Sequence, residues 1–186
     1  VKGFGITAVP VWVGGETRVA HVISETLVGR HSHVISGKIF INPDQRVEFY
    51  ALFKKLVSNT TYVICAGSVP AGAPTGIYQQ ITEIAHQSDV PVLIDSSREM
   101  IIEAIPAKPK IVKMNWDEFE STFYRKASTL DELKRLAGEI YTEHQLNSLV
   151  LTCGAEGIIS FSNEGAFHTI VPRLKAVNAA GAGDAS

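Results

Sequence analysis

Four short runs are apolar at nearly every position: "TYVICAG" (61–67), "VPVLIDSS" (90–97), "KIVKMN" (110–115) and "NSLVLTC" (147–153). A strand with one wet face alternates apolar and polar residues. A strand that is apolar throughout belongs to a sheet covered on both faces, which is the habit of parallel sheets. Helical patterns separate the runs, as crossovers between parallel strands require. One helix is expected over about 75–87 and a short one around 98–105, and a third starts at "WDEFESTFY". In "TLDELKRLAGEIYTEHQ" residues Leu130, Leu133, Leu136, Ala137 and Ile140 recur at helical spacing. Near the end, "GIISFS" and "AFHTIVP" read as a hairpin. The expectation is an α/β fold whose ligand sites lie beyond the carboxyl ends of the strands.

Upstream, "VPVWVGGETRVAHVIS" places two β-rich runs around Gly14 and Gly15, which suggests a hairpin there. After "SGKIFINPDQ" a helix is expected with Asn42 as cap, Pro43 in its first turn, and Val47, Tyr50, Ala51 and Leu56 on one face.

A chain of 186 residues can bury one substantial core. The formal charge of −2 is spread over interspersed acids and bases, so no footprint for nucleic acid or a membrane surface is visible. No apolar run approaches the ~20 residues of a membrane span, and no secretory leader is recognisable. The cysteines, Cys65 and Cys153, sit in apolar runs without metal-ligand spacing and read as buried free thiols of a cytoplasmic protein. Val1 is not an initiator Met, and both ends read as cut.

Several polar groups follow the apolar strands. In "AAGAGD" (179–184) Gly181 and Gly183 free the backbone, so successive amides can face one anion, with Asp184 beside it to take a proton from a hydroxyl. An ordinary flexible turn would have the same composition. "NWDE" puts Asn115 and Glu118 at a helix start, where they read as a capping pair or as the holder of a hydrated magnesium ion. "GETR" offers Arg18, a guanidinium that is either solvated or aimed at a phosphate. "GSVPAG" offers the hydroxyl of Ser68 after a buried strand. "LTCGAEG" gives Thr152, Gly154 and Gly157, a turn into the hairpin that can also touch a nucleotide. Other chemistries find less support. "GFGITA" has no strand before it to make a dinucleotide loop, no Walker phosphate loop or serine-nucleophile elbow occurs, and His31 and His33 lack ligand partners at metal spacing.

Taken together and in order, these stretches resemble the phosphofructokinase B (ribokinase-like) family of carbohydrate kinases. "NAAGAGDAS" resembles its C-terminal signature, "GSVPAG" its Gly-Ser-Leu-Pro-Pro-Gly loop, "KMNWDE" its Lys-Pro-Asn-x-x-Glu segment, and "LTCGAEG" its nucleotide-contacting strand and turn. "GETR" with "IDSSREM" looks most like the 1-phosphofructokinase and tagatose-6-phosphate kinase branch. The resemblance implies a three-layer α/β/α sandwich with a mostly parallel sheet and part of a small β lid. It implies one partial kinase domain over 1–186, with hairpin and lid strands at about 8–34 and the α/β core at about 38–186. The implied reaction is phosphoryl transfer from ATP, with Mg2+, to a ketohexose phosphate such as fructose 1-phosphate or tagatose 6-phosphate. Asp184 would be the base, and the amides of Gly181, Ala182 and Gly183 the anion hole. Asn115 and Glu118 would organise magnesium and phosphates, Thr152, Gly154 and Gly157 would line the nucleotide, and Arg18 and Ser68 would face the sugar phosphate. The family also implies pairing of two copies through lid strands.

Met114 stands where the family commonly has proline, and Asn178 and Ala179 replace a frequent Asp-Thr, which removes a charge near any monovalent-cation site. Two further readings remain: a catalytically incompetent fragment that binds nucleotide or sugar phosphate, and a kinase of an unphosphorylated sugar or nucleoside.

Overall fold

A computed structural model describes residues 2–15, 19–25, 30–35, 37, 39–170 and 172. The chain divides into two compact units, residues 1–56 with 69–73 and residues 57–68 with 74–186. No helix among the described residues is long and apolar enough to cross a membrane.

In the first unit, β1 (Ala20–Glu25) pairs antiparallel with β2 (Arg30–Ile35), from Ala20 opposite Ile35 to Glu25 opposite Arg30. The hairpin expected across Gly14 and Gly15 is therefore displaced toward the C-terminus. Residues 9–13 form no strand, and β1 takes up only the second of the two β-rich runs. Helix α1 (Pro43–Val57) begins as expected. The Asn42 side chain accepts from the Gln45 N–H and Gln45 returns the bond to the Asn42 N–H, both at 2.9 Å, so two amides with no partner inside the helix are satisfied. Its apolar face differs from the expected one. Val47 is 68% exposed, whereas Phe49, Tyr50 and Phe53 are half-buried, with the Phe49 ring 5.4 Å from Tyr50 and 6.2 Å from Phe53. Stacking rings at i, i+1 and i+4 set that face, not the β-branched side chain of Val47.

The second unit is a six-stranded sheet: β3 (Val63–Ala66), β4 (Val92–Asp95), β5 (Ile111–Asn115), β6 (Ser148–Thr152), β7 (Ile158–Ser162) and β8 (Gly165–Thr169), side by side in that order. β3 to β6 run parallel and β7 and β8 return antiparallel. The crossovers are α2 (Ile77–His86), α3 (Glu99–Ala104) and a helix pair, α4 (Trp116–Phe123) and α5 (Leu130–Glu143). Cross-strand neighbours share a face, so register sorts the side chains. Cys65, Ile94, Val112, Leu149 and Phe161 stand on one side, as do Met114, Leu151 and Ile159 on neighbouring rungs. This face holds the fully buried Ile94, Met114, Leu149, Leu151 and Ile159, each adding about 1.5–3 kcal/mol. α5 packs here, with the Tyr141 ring 5.8 Å from Phe161 and Leu133, Leu136, Ala137 and Ile140 buried as the heptad-like spacing requires. The opposite face carries Ile64, Leu93, Ile111 and Val150, of which Ile64 is 69% exposed. Apart from Lys113, the residues of this opposite face are less deeply buried within this unit.

Helix ends fix the loops at the sheet edge. Thr129 caps α5 by accepting from the Glu132 N–H at 3.2 Å. At the start of α3, Arg98 takes φ 56° and ψ −138°, a conformation that suits glycine, while its N–H donates to the buried Thr122 hydroxyl at 2.7 Å. The strain at such a position is about 1–3 kcal/mol, and the entropy glycine loses is about 0.5–1 kcal/mol. Arg98→Gly is therefore expected to stabilise the fold by about 1 kcal/mol, seen as a rise of a few degrees in Tm; a lower Tm would show that the conformation is unstrained.

Glu120 ties α4 to the loop before α5. Its carboxylate accepts from the Ala127 N–H at 2.8 Å, the Lys126 ammonium at 3.0 Å and the Trp116 indole at 3.2 Å. The Ala127 N–H, and then Lys126, hold its pKa below the usual carboxylate value. A carboxylate depressed in the folded state contributes stability above its unfolded pKa, about 4.3, and loses it as pH falls through the folded value. Glu120→Gln is thus expected to lower Tm at pH 7, with the gap to wild type closing only below about pH 4.3; a gap constant down to pH 3 would contradict this origin.

Candidate active site

Four parallel strands deliver their carboxyl ends to one edge. Register aligns Ala66 with Asp95, Asp95 with Lys113, and Asn115 with Thr152. Ser68, Asn115, Glu118, Thr152 and Gly154 all lie at or just past those ends. The sequence placed them there from strand pattern alone, and the parallel pairing makes them neighbours along an edge.

Strand β5 runs straight into α4 at Asn115, which keeps extended angles (φ −89°, ψ 174°) while capping the helix. Asn115 Oδ1 accepts from the Glu118 N–H and Glu118 Oε2 accepts from the Asn115 N–H, both at 2.8 Å. The capping pair is thus complete. It occupies one oxygen of each side chain and leaves the second carboxylate oxygen of Glu118 outside the box, at a helix N-terminus where anionic ligands are favoured. Among the described residues no three His, Cys, Asp or Glu side chains gather closely enough to cage a metal. A single carboxylate suits a magnesium ion that keeps its water and rides on phosphates, and does not suit an all-protein site.

The two glycines after β6 differ in what they are for. Gly154 has φ +56° and open space where a Cβ would stand, so its backbone is free to meet a ligand. Gly157 has φ +93° and a methyl group there would overlap the carbonyl oxygen of Thr169. Packing of the β7–β8 hairpin already requires glycine at 157, so its residue type carries no evidence of a nucleotide contact. Just before them, Cys153 donates its N–H to the Gly157 carbonyl at 2.8 Å, closing the turn.

At the other end of the edge, Gly67 (φ +82°) turns the chain after β3. Its N–H donates to the Asp95 carbonyl at 2.8 Å, and its own carbonyl accepts from the Ser96 hydroxyl at 3.0 Å and the Tyr78 hydroxyl at 2.9 Å. Burial, then Cys65 and Asp95, push the Tyr78 phenol up to about 12, so it stays a donor. Ser68, next along, is exposed. Below this loop the Lys113 ammonium lies 2.8 Å from Asp95 Oδ2. The sequence points to the stretches that hold Asp95, Ser96 and Lys113 but assigns these residues no role, and it gives no sign of Tyr78. The available signal was a lysine inside an otherwise apolar strand, which demands a partner at its own rung.

Burial also raises both thiols, Cys65 to about 12 and Cys153 to about 11, and both are free. They are not nucleophiles at neutral pH. Arg18 and the segment with Gly181, Ala182, Gly183 and Asp184 lie outside the described residues.

The chain is similar to known proteins in sequence and in fold. The family model for pfkB family carbohydrate kinases matches residues 17–186. The 1-phosphofructokinase of Vibrio cholerae serotype O1 is 30% identical over 137 residues, which is 73% of this chain and 43% of the relative. Among solved structures, the tetrameric inhibited form of phosphofructokinase-2 from Escherichia coli superimposes with a TM-score of 0.75 at 21% identity, covering 89% of this chain and 54% of that one. Phosphofructokinase-2 from the same organism in complex with fructose-6-phosphate gives 0.72 at 19%, over 87% and 54%. The chain spans less than half the length of the curated relative and about half that of the solved structures. With a match over nearly all its residues, the chain belongs to the pfkB family of carbohydrate kinases.

Proposed function

We propose that the protein carrying this chain transfers the terminal phosphoryl group of ATP to a hydroxyl of a ketohexose phosphate. The observation that carries the reading is the coincidence of two things. The chain resembles a 1-phosphofructokinase over 73% of its length, and its phosphate-suited groups share one edge of a parallel sheet. The residues would divide the work as follows. Thr152 and Gly154 lie against the nucleotide, with open backbone at Gly154. Glu118 and Asn115 orient the phosphates from the helix N-terminus and hold magnesium through water; the ion, when bound, neutralises phosphate charge. Ser68 and Arg18 receive the sugar phosphate. The amides of Gly181, Ala182 and Gly183 stabilise charge on the transferred group, and Asp184 takes the proton of the sugar hydroxyl as the hydroxyl oxygen bonds to the terminal phosphorus and the bond from that phosphorus to ADP breaks. Positioning and electrostatics are the main levers in phosphoryl transfer, so such a site needs no covalent intermediate.

A solved structure called tetrameric, and a hairpin that forms a two-stranded sheet of its own among the described residues, support pairing of copies through β1 and β2. Wild type should accept at least one of fructose 1-phosphate, fructose 6-phosphate and tagatose 6-phosphate, with ATP consumed in step; turnover on none of the three would refute the substrate class. Asp184→Asn is expected to cut kcat by about 10²–10⁴, the usual worth of a general base, with little change in KM. A variant retaining most of its kcat would remove Asp184 from the base role. Arg18→Ala is expected to raise KM for the sugar phosphate about 10- to 100-fold, as loss of a charge-assisted hydrogen bond does, without moving KM for ATP. Equal rises in both constants would contradict the assignment of Arg18.

A further inference from the structure

We propose that His168 is a positioning residue for the nucleotide: its ring clamps the turn after β6 to β8, and so sets where Gly154 meets ATP. The proposal rests on the reading of that turn as a nucleotide contact. The His168 ring nitrogen Nε2 lies 2.6 Å from the Glu156 carbonyl oxygen. A carbonyl oxygen can only accept, so Nε2 carries the proton and donates. Strand β8 is exposed along its whole length, so core packing does not account for a histidine at this position.

The bonds that meet at the turn do different things. The β6–β7 ladder ends at the rung of Thr152 and Ile158, and the β7–β8 ladder at the rung of Ile158 and Thr169. Residues 153–157 lie beyond both. Within the turn, the Cys153 N–H donates to the Gly157 carbonyl at 2.8 Å, the Glu156 N–H to the Cys153 carbonyl at 3.1 Å and the Gly157 N–H to the Gly154 carbonyl at 3.2 Å. These bonds give the turn its shape, but they tie it only to itself. A hairpin turn can still rock as one piece about its last rung. The His168 bond comes from a strand outside the turn and acts two residues past that rung, on the carbonyl of Glu156. Gly157 lets β8 approach from the same side, since a Cβ there would overlap the Thr169 carbonyl oxygen. The lean of the turn matters because Gly154 offers a ligand only backbone, with open space where a side chain would stand. A side chain can change rotamer to follow a ligand, whereas a backbone contact goes where the turn goes.

Two substitutions separate a donated bond from mere occupancy. Glutamine carries an amide N–H close to where histidine carries Nε2–H, and phenylalanine keeps a ring without a donor. In steady-state assays of the full-length protein, His168→Phe is expected to raise KM for ATP about three- to tenfold, the usual worth of one hydrogen bond. Its kcat and its KM for the sugar phosphate should stay within twofold of wild type. His168→Gln should keep KM for ATP within twofold. A wild-type KM for ATP in His168→Phe overturns the proposal, as does an equal rise in both variants or a matching rise in KM for the sugar phosphate. Hydrogen exchange on the ligand-free proteins does not depend on what is phosphorylated. The Gly157 amide, on the same peptide as the Glu156 carbonyl, should exchange several-fold faster in His168→Phe and at the wild-type rate in His168→Gln. Equal rates in all three proteins overturn the clamp. Calorimetry with ADP tests the reading beneath it: a wild type that binds no ADP sinks the nucleotide reading, whereas the exchange rates decide the clamp alone.

Discussion

When consecutive strands lie side by side and parallel, each must be left and re-entered by a crossover, and every exit opens at the same edge. In β3 to β6 that constraint gathers residues 67–68, 95–97, 115–118 and 152–154 from four distant stretches of chain. Nothing in those stretches needs to attract its neighbours. The apolar strands hold them together, and the buried row of Cys65, Ile94, Val112 and Leu149 stiffens the platform from below. Phosphoryl transfer asks mainly for fixed dipoles and fixed distances, and a parallel sheet edge is a ready source of both.

Several groups at this edge serve two ends at once. Asn115 ends a strand and caps a helix with one side chain. Glu118 secures the cap with one oxygen and leaves the other outside it. Gly67 accepts two hydroxyl donors on a single carbonyl, and the loop gains stiffness without a hydrophobic contact. A structural and a functional reading of the same residue therefore need not compete: the cap holds the Glu118 carboxylate in one orientation.

How much of this was legible in the sequence varied with the kind of signal. The strands at 63–66, 92–95, 111–115 and 148–152 were readable because an unbroken apolar run of that length has few other uses. The α5 face was readable because five apolar residues recur at helical spacing, and Asn42 and Asn115 were readable as caps because a partner side chain stands three residues on in each case. The hairpin at Gly14 and Gly15 was misread: two glycines and β-branched neighbours say that a turn is possible, but not which run pairs with which. The face of α1 was misread because ring stacking among Phe49, Tyr50 and Phe53 depends on rotamers that periodicity does not encode. The Asp95–Lys113 pair was hidden for a different reason. Register between β4 and β5 is a property of two segments, and no single motif contains it. Gly157 shows the converse, a residue that fits a family motif yet is already demanded by the Thr169 carbonyl behind it.

The two cysteines have a practical side. Cys65 lies in the second rung of the buried face and Cys153 immediately after β6, its thiol turned back toward the Leu151 carbonyl at 3.7 Å. With both thiols raised far above neutral pH by burial, the thiolate that peroxide or a maleimide would attack is scarcely populated. Reagents that need a thiolate therefore find little to attack at Cys65 or Cys153. One cysteine introduced on an exposed loop would be the sole reactive thiol among the described residues. A fluorophore or spin label could then report on the loops at the edge without removing Cys65 or Cys153, and so without disturbing the core.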